Sequence, residues 1–358
     1  MTTRRTFMAA LLGLPLGLPM GLAAPAAADE PLRIGFVYSS IIGDAGWTYQ
    51  HDLGRLAVEK AFGDRVETVY VESIDGGADA ERVFRQMASQ GVDLIFGTSF
   101  NHMNPMARVA AQNPGKFFEH ATGYTMADNL AVYHVRDYQA RYLIGMTAGA
   151  MGDSLGVVAS FPIPEVVRGI NAMTLGARAV NPDFTTRVVW ISSWFDPGLE
   201  RTAADALLDQ GVDVLAHFTD SPAVVQAAEE AGKFVVGLGD MRQYGENAHL
   251  TAMVYNWAPY YVERTQAVLD GTWEPTNTWK GIEADMLDLA PFVDSVPEEA
   301  RAQVLAVMEE IRNGAFHPFQ GPLVAQDGSI RVPEGEVPED MLALTMDFYV
   351  QGVEGALP

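Results

Sequence analysis

The sequence predicts an α/β protein of two lobes, each a parallel sheet wrapped by helices, with the strand ends of both lobes facing one cleft. Three observations carry that prediction. Apolar, β-rich runs alternate with helical patterns along most of the chain, which marks parallel sheets covered by helices. Gln90-Gly91-Val92-Asp93-Leu94 recurs as Gln210-Gly211-Val212-Asp213-Val214, and each copy leads through a helix to Lys116-Phe117-Phe118 or Lys233-Phe234-Val235. The length, 358 residues, is enough for two hydrophobic cores.

Taken in order, the chain opens with a targeting pattern rather than a structural element. Arg4-Arg5 precedes an apolar stretch from Phe7 to Ala24, and Ala26-Ala27-Ala28 supplies small residues for a cut before Asp29. Residues 1–28 therefore read as an export signal. Thr3-Arg4-Arg5-Thr6-Phe7-Met8 is similar to the twin-arginine signal, with general secretion the alternative route. The run 32–38 is short, β-branched and aromatic, and reads as a buried first strand. Residues 39–52 form a loop with Gly43 and Gly46, and a helical pattern follows through Leu53, Leu56, Ala57 and Lys60. Further strands are expected at 66–71, 93–98, 116–122, 130–135, 155–160, 186–192, 212–217 and 233–238. Helices are expected at 77–90, 104–112, 137–151, 164–180, 199–210 and 222–231. The chain is expected to cross between lobes near 135–138 and 255–257, after which a helix at 260–269 packs back on the first lobe. Pro291, Pro297, Pro318, Pro322, Pro333 and Pro338 punctuate the remainder around a helix at 298–312. The first lobe is thus expected at 29–135 plus about 257–325 and the second at 136–256, with the tail 326–358 unassigned.

Composition limits the function. The chain carries 23 Lys and Arg against 46 Asp and Glu, a net charge of −23, and loss of residues 1–28 removes two arginines and no acid. Such a chain repels phosphate backbones, so no nucleic-acid partner is expected. Cysteine is absent, which leaves no disulfide, no thiolate metal site and no lipid-anchored residue at the cut. Nothing after Ala28 is long and apolar enough to span a bilayer, so the mature chain is expected in the periplasm, as a monomer.

No GxSxG, HExxH, SxxK or EF-hand loop occurs. His51, His102, His120 and His134 lack metal spacing and read as structural or surface residues; neither metal nor cofactor is expected. Asp196 and Asp220 are the one pair that suggests an enzyme, as two carboxylates for glycoside hydrolysis. The aromatic loops say more. Strand–loop–helix order puts Asp44, Trp47 and Tyr49 at the mouth of an open sheet, where ligands bind. Phe100 and Asn101 lie in the loop 98–102, and Trp194-Phe195-Asp196-Pro197 is the positional twin of the first loop in the second lobe. Two aromatics facing across a cleft would sandwich a flat ring, although Trp47 could instead staple its loop to the first helix. Asp44, Asp196, Asp220 and Asp240 accept N–H groups, while Asn101 and Asn256 both donate and accept. This inventory suits a neutral, donor-rich heterocycle.

GDAGWTYQHDLG (43–54), SSWFDPGLERTAA (192–204), HFTDSPAVVQAAEEAG (217–232), GLGDM (237–241), HLTAMVYNWAPYY (249–261) and FQGPLVAQDG (319–328) together resemble the basic membrane protein family of ABC-transporter substrate-binding proteins. The best-understood members bind purine nucleosides. The resemblance implies two Rossmann-like lobes of the periplasmic binding protein type I architecture, closing over a purine, and an inner-membrane ABC permease as partner. It matches Asp44 and Trp47 to a first-loop acid and stacking aromatic, Trp194 to the opposite aromatic, and Asp240 to an acid that holds ribose. Where nucleoside binders carry lysine before asparagine, this chain has Tyr255 before Asn256. Tyrosine offers one hydroxyl and a bulky ring in place of three donors, so a free base such as adenine or hypoxanthine is expected over its nucleoside, unless Tyr255 points into the hinge. A periplasmic nucleoside-processing enzyme is the alternative from another class.

Overall fold

The computed structural model describes Met1 and residues 30–358; residues 2–29, where the export signal is expected, lie outside the described residues. The chain runs β1 (Leu32–Val37), α1 (Gly46–Phe62), β2 (Val66–Val71), α2 (Gly77–Ser89), β3 (Leu94–Gly97), α3 (Met103–Ala110), β4 (Phe117–Ala121) and β5 (Leu130–Val135). It continues through α4 (Asp137–Met151), β6 (Ser154–Ala159), α5 (Pro164–Val180), β7 (Thr185–Trp190), α6 (Pro197–Asp209), β8 (Val214–His217), α7 (Ala223–Glu230), β9 (Phe234–Leu238) and β10 (His249–Tyr255). Then follow α8 (Ala258–Leu269), β11 (Asn277–Lys280), β12 (Leu287–Leu289), α9 (Glu298–Arg312), β13 (Leu323–Val324), β14 (Ile330–Val332) and α10 (Asp340–Leu344). Among the described residues no helix is long and apolar enough to cross a membrane.

Two six-stranded sheets repeat one order, β11-β5-β4-β3-β1-β2 and β12-β10-β9-β8-β6-β7. Every pairing in them is parallel except β10 with β12. The repeated pentapeptide leads into β3 and into β8, which hold the same place in their sheets, so the duplication read from sequence is a duplication of topology. Order reverses at β1 and β6, and the crevice beyond such a switch point is where open sheets receive ligands.

The lobe boundaries differ from the expectation after residue 280. β11 closes the first sheet, but β12 pairs with β10 in the second, and α9 packs on α4. A third crossing thus lies between Lys280 and Leu287, and the span to 325 is divided rather than held by the first lobe. The tail joins the second lobe: α10 packs on α5, and Val353 bridges to Thr186 of β7. Proline-rich sequence without periodicity hid these short strands, which owe their pairing to neighbours far away in the chain.

α4 and α5 approach with their backbones almost in contact. A Cβ at Gly145 would lie 2.2 Å from the Met173 carbonyl oxygen, and one at Gly176 would lie 2.0 Å from that of Tyr142. α4 is buried all round from Asp137 to Gly149. This packing brings the first turns of both helices, with their charged residues, to the cleft. The four histidines prove internal: His51, His102 and His120 are fully buried and His134 nearly so, and burial lowers the pKa of each.

Candidate ligand-binding site

The loops beyond β1, β3, β6 and β8 converge on a cavity between the sheets. Trp47 and Phe100 line it from the first lobe, Trp194, Phe218 and Asp220 from the second, and Tyr255 from the end of β10. Trp47 is fixed by its indole N–H, which donates to the Thr98 carbonyl at 2.7 Å. Its ring stands edge-on to Tyr255 at 5.0 Å. Tyr255 in turn stacks on Trp257, and Trp257 on His51. This pile of rings holds the aromatic wall in one orientation. The Tyr255 ring belongs to the cavity lining, not to the hinge alone. Trp194 packs against Phe161 at 5.2 Å, and its buried indole N–H has no partner.

Asp220 joins the lobes. α1 begins at Gly46 with no side-chain cap from Ala45 and no acid in its first turn. The Asp220 carboxylate, on the loop after β8, accepts the Trp47 backbone N–H at 2.6 Å and the Ser40 hydroxyl at 2.7 Å. It serves as the missing N-cap from the opposite lobe. Gly46 at φ +87° permits the approach, since a Cβ there would meet Asp220 at 2.9 Å. Burial pushes the Asp220 carboxyl up to about 6 against the pull of these bonds.

The other wall carries charge. Asp137 and Arg141 on α4 and Glu165 on α5 line the cavity. Arg168 donates to Asp137 at 2.9 Å, closing one buried pair. Arg141 is 2% exposed, its guanidinium lies 3.9 Å over the Phe218 ring, and its Nε–H has no partner. Burial first, then the charge of Asp137, pushes the Glu165 carboxyl up to about 7.

Of the residues expected at the site, Trp47, Phe100, Trp194, Asp220 and Tyr255 line the cavity and six do not. Asp44 sits on the exposed rim and accepts the Tyr244 hydroxyl at 2.5 Å across the cleft. Tyr49 lies in the first turn of α1 outside the lining. Asn101 turns to Asp75 on the outer surface of the first lobe. Asp196 is spent as the N-cap of α6, accepting from Gly198 and Leu199. Asp240 is held by Arg242, two residues on, at 2.5 Å. Asn256 is exposed and donates to the Asp285 carbonyl. Asp137, Arg141 and Glu165 were not anticipated from sequence. For Asp137 and Arg141 a signal was present: both are charged residues near the start of α4, a helix otherwise too apolar to face water on any side.

The sequence profile described as ABC transporter substrate-binding protein, PnrA-like (Bmp), matches residues 32–316. The chain is 45% identical to a purine-binding protein of Brucella abortus over 336 residues, 93% of this chain and 96% of that one. It is 41% identical to a protein of Haloferax volcanii named as a candidate ABC transporter glucose-binding protein, over 92% of this chain and 82% of that one. An ABC transporter solute-binding protein from Aeropyrum pernix shares the fold at a TM-score of 0.70 and 18% identity, covering 80% of this chain and 93% of that one. The chain belongs to the Bmp family of PnrA-like ABC transporter substrate-binding proteins.

Proposed function

We propose that this protein is the periplasmic component of an ABC importer and that it holds a free purine base between Trp47 and Trp194 as its lobes close. The observation that carries the reading is that one cavity between the lobes receives an indole from each, with donors and acceptors around them. Stacking is worth about 0.5–1.5 kcal/mol per ring beyond area burial, which suits a flat heterocycle. Tyr255 fills the cavity wall with an aromatic ring, removing volume and donors that a ribose needs. The name of the Brucella relative supports the purine class. The protein acts as a monomer, delivers ligand to an inner-membrane permease and catalyses no reaction. Closure is a rotation about the crossings near residues 135–138, 255–257 and 280–287, and ligand drives it only through contacts made better in the closed state.

Calorimetry with adenine, hypoxanthine, adenosine, inosine and glucose tests this. Bases should bind more tightly than their nucleosides, and Tyr255→Lys should move preference toward nucleosides. Nucleosides binding as tightly as bases would overturn the preference, and binding of glucose alone would overturn the purine class. Free base accumulating from a nucleoside would mark an enzyme instead.

A further inference from the structure

We infer that Glu165 and Arg141 together read the edge of the bound ring, Glu165 taking a ring or exocyclic N–H and Arg141 giving its Nε–H to an acceptor beside it. This rests on the purine reading and names how that ring is recognised.

The inference starts from hydrogen bonds not made. Arg141 is almost wholly buried, yet its Nε–H has no partner, and its contact to the His217 carbonyl is a long 3.4 Å. The guanidinium carbon lies 3.9 Å from the centre of the Phe218 ring, which holds the group against the cavity wall. Among the described residues no donor reaches the Glu165 carboxyl. The neighbouring charges are already used, since Asp137 takes Arg168 at 2.9 Å. Glu165 and Arg141 feel each other's charge without sharing a hydrogen bond. A buried N–H donor and a half-buried carboxyl acceptor therefore line one cavity without a hydrogen bond between them.

Unmet polar groups of this kind cost free energy that a complementary ligand recovers. Where Glu165 is ionised the two charges cancel, so the complement is neutral. A phosphate or carboxylate would be repelled by Glu165, and a hydrocarbon would leave both groups unmet. A planar ring with an N–H donor next to an acceptor meets both at once, as the amide edge of hypoxanthine and the amidine edge of adenine do. Trp47 and Trp194 grip the faces of any aromatic ring; Glu165 and Arg141 select among rings by their edges.

Calorimetry on the purified chain tests the pair with adenine, hypoxanthine and 6-dimethylamino-9-methylpurine, which keeps the ring faces and acceptors but has no N–H. Glu165→Gln keeps the shape and removes the charge; Arg141→Lys keeps the charge and removes the Nε–H. Each should weaken adenine and hypoxanthine about tenfold to a hundredfold, the range for a hydrogen bond to a charged group. Wild type should prefer adenine to the N–H-free analogue by about tenfold or more, and in Glu165→Gln that ratio should collapse toward one. A loss of fold alone would not move the ratio, and melting temperatures of the variants expose such a loss. Both purines binding Glu165→Gln within threefold of wild type, or an unchanged ratio, would overturn the pair while leaving the purine reading intact. Wild type binding no purine would overturn both.

Discussion

Replacing Asp220 by alanine should weaken ligand binding about five- to thirtyfold while leaving each lobe folded. The magnitude follows from the trans-lobe cap. Asp220 supplies α1 with the N-terminal acceptor that Ala45 lacks, at 2.6 Å, and takes the Ser40 hydroxyl at 2.7 Å. A capping side chain contributes about 0.5–2 kcal/mol, and a carboxylate near a helix N-terminus adds about 0.3–1 kcal/mol. Part of this is offset because the closed cleft buries the anion, as its elevated pKa shows. A net of about 1–2 kcal/mol remains, and about 1.4 kcal/mol is tenfold in affinity. Because carboxylate and donors stand on opposite lobes, the loss falls on the closed state, and apparent affinity scales with the population of that state.

The same contact sets a pH dependence. Burial pushes the Asp220 carboxyl up to about 6 from its ordinary value of 3.8, so a closure that buries it takes up a proton. The stabilisation is fully present below 3.8 and is lost as pH rises through 6. Wild-type affinity should therefore increase as pH falls from 7 through 6 and level off toward 4. Asparagine caps as well as aspartate but carries no titrating proton, so Asp220→Asn should bind nearly as wild type and lose this component of the slope. The Glu165 contribution remains in that variant. Calorimetry from pH 5 to 8, with small-angle scattering of the empty protein to report closure, measures all three. Asp220→Ala binding within twofold of wild type, or Asp220→Asn keeping the full slope, would refute the reasoning.

Trp47→Ala and Trp194→Ala should each weaken purine binding at least fivefold, from a lost stack of about 1 kcal/mol or more, and wild-type tryptophan emission should change on binding; both variants within threefold would remove the sandwich. Glu119→Ala should destabilise the first lobe by about 3–5 kcal/mol in urea unfolding, because Glu119 is fully buried and receives Arg264, Tyr260 and Trp273, and its loss leaves a buried guanidinium unpaired. Gly145→Ala should cost about 1–3 kcal/mol or more, since its Cβ meets backbone, whereas Gly115→Ala, with nothing within 4 Å, should be neutral by the same measurement.

Local pattern carried what depends on near neighbours. Alternation of apolar runs gave β1 to β9 to within a few residues, and the repeated pentapeptide announced two equivalent sheets, because strand burial and helix termini leave their mark on adjacent residues. Loop position marked Trp47 and Trp194 as residues at the strand mouths. Other facts were settled only by contacts between distant segments. β11 and β12 are three or four residues long and exist through pairing with β5 and β10, so no periodicity marked the third crossing. Asp44, Asn101, Asp196 and Asp240 had the right chemistry in the right loops, but each found a partner, at Tyr244, Asp75, the α6 terminus and Arg242, that turned it from the cavity. Asp137, Arg141 and Glu165 stood near the starts of two helices, and nothing in the sequence said which way they face. Their place at the cavity follows from glycine-mediated packing of α4 against α5, which carries the first turns of both helices into the cleft. Residue type can be read along the chain, whereas direction is decided by whatever the folded chain packs beside it.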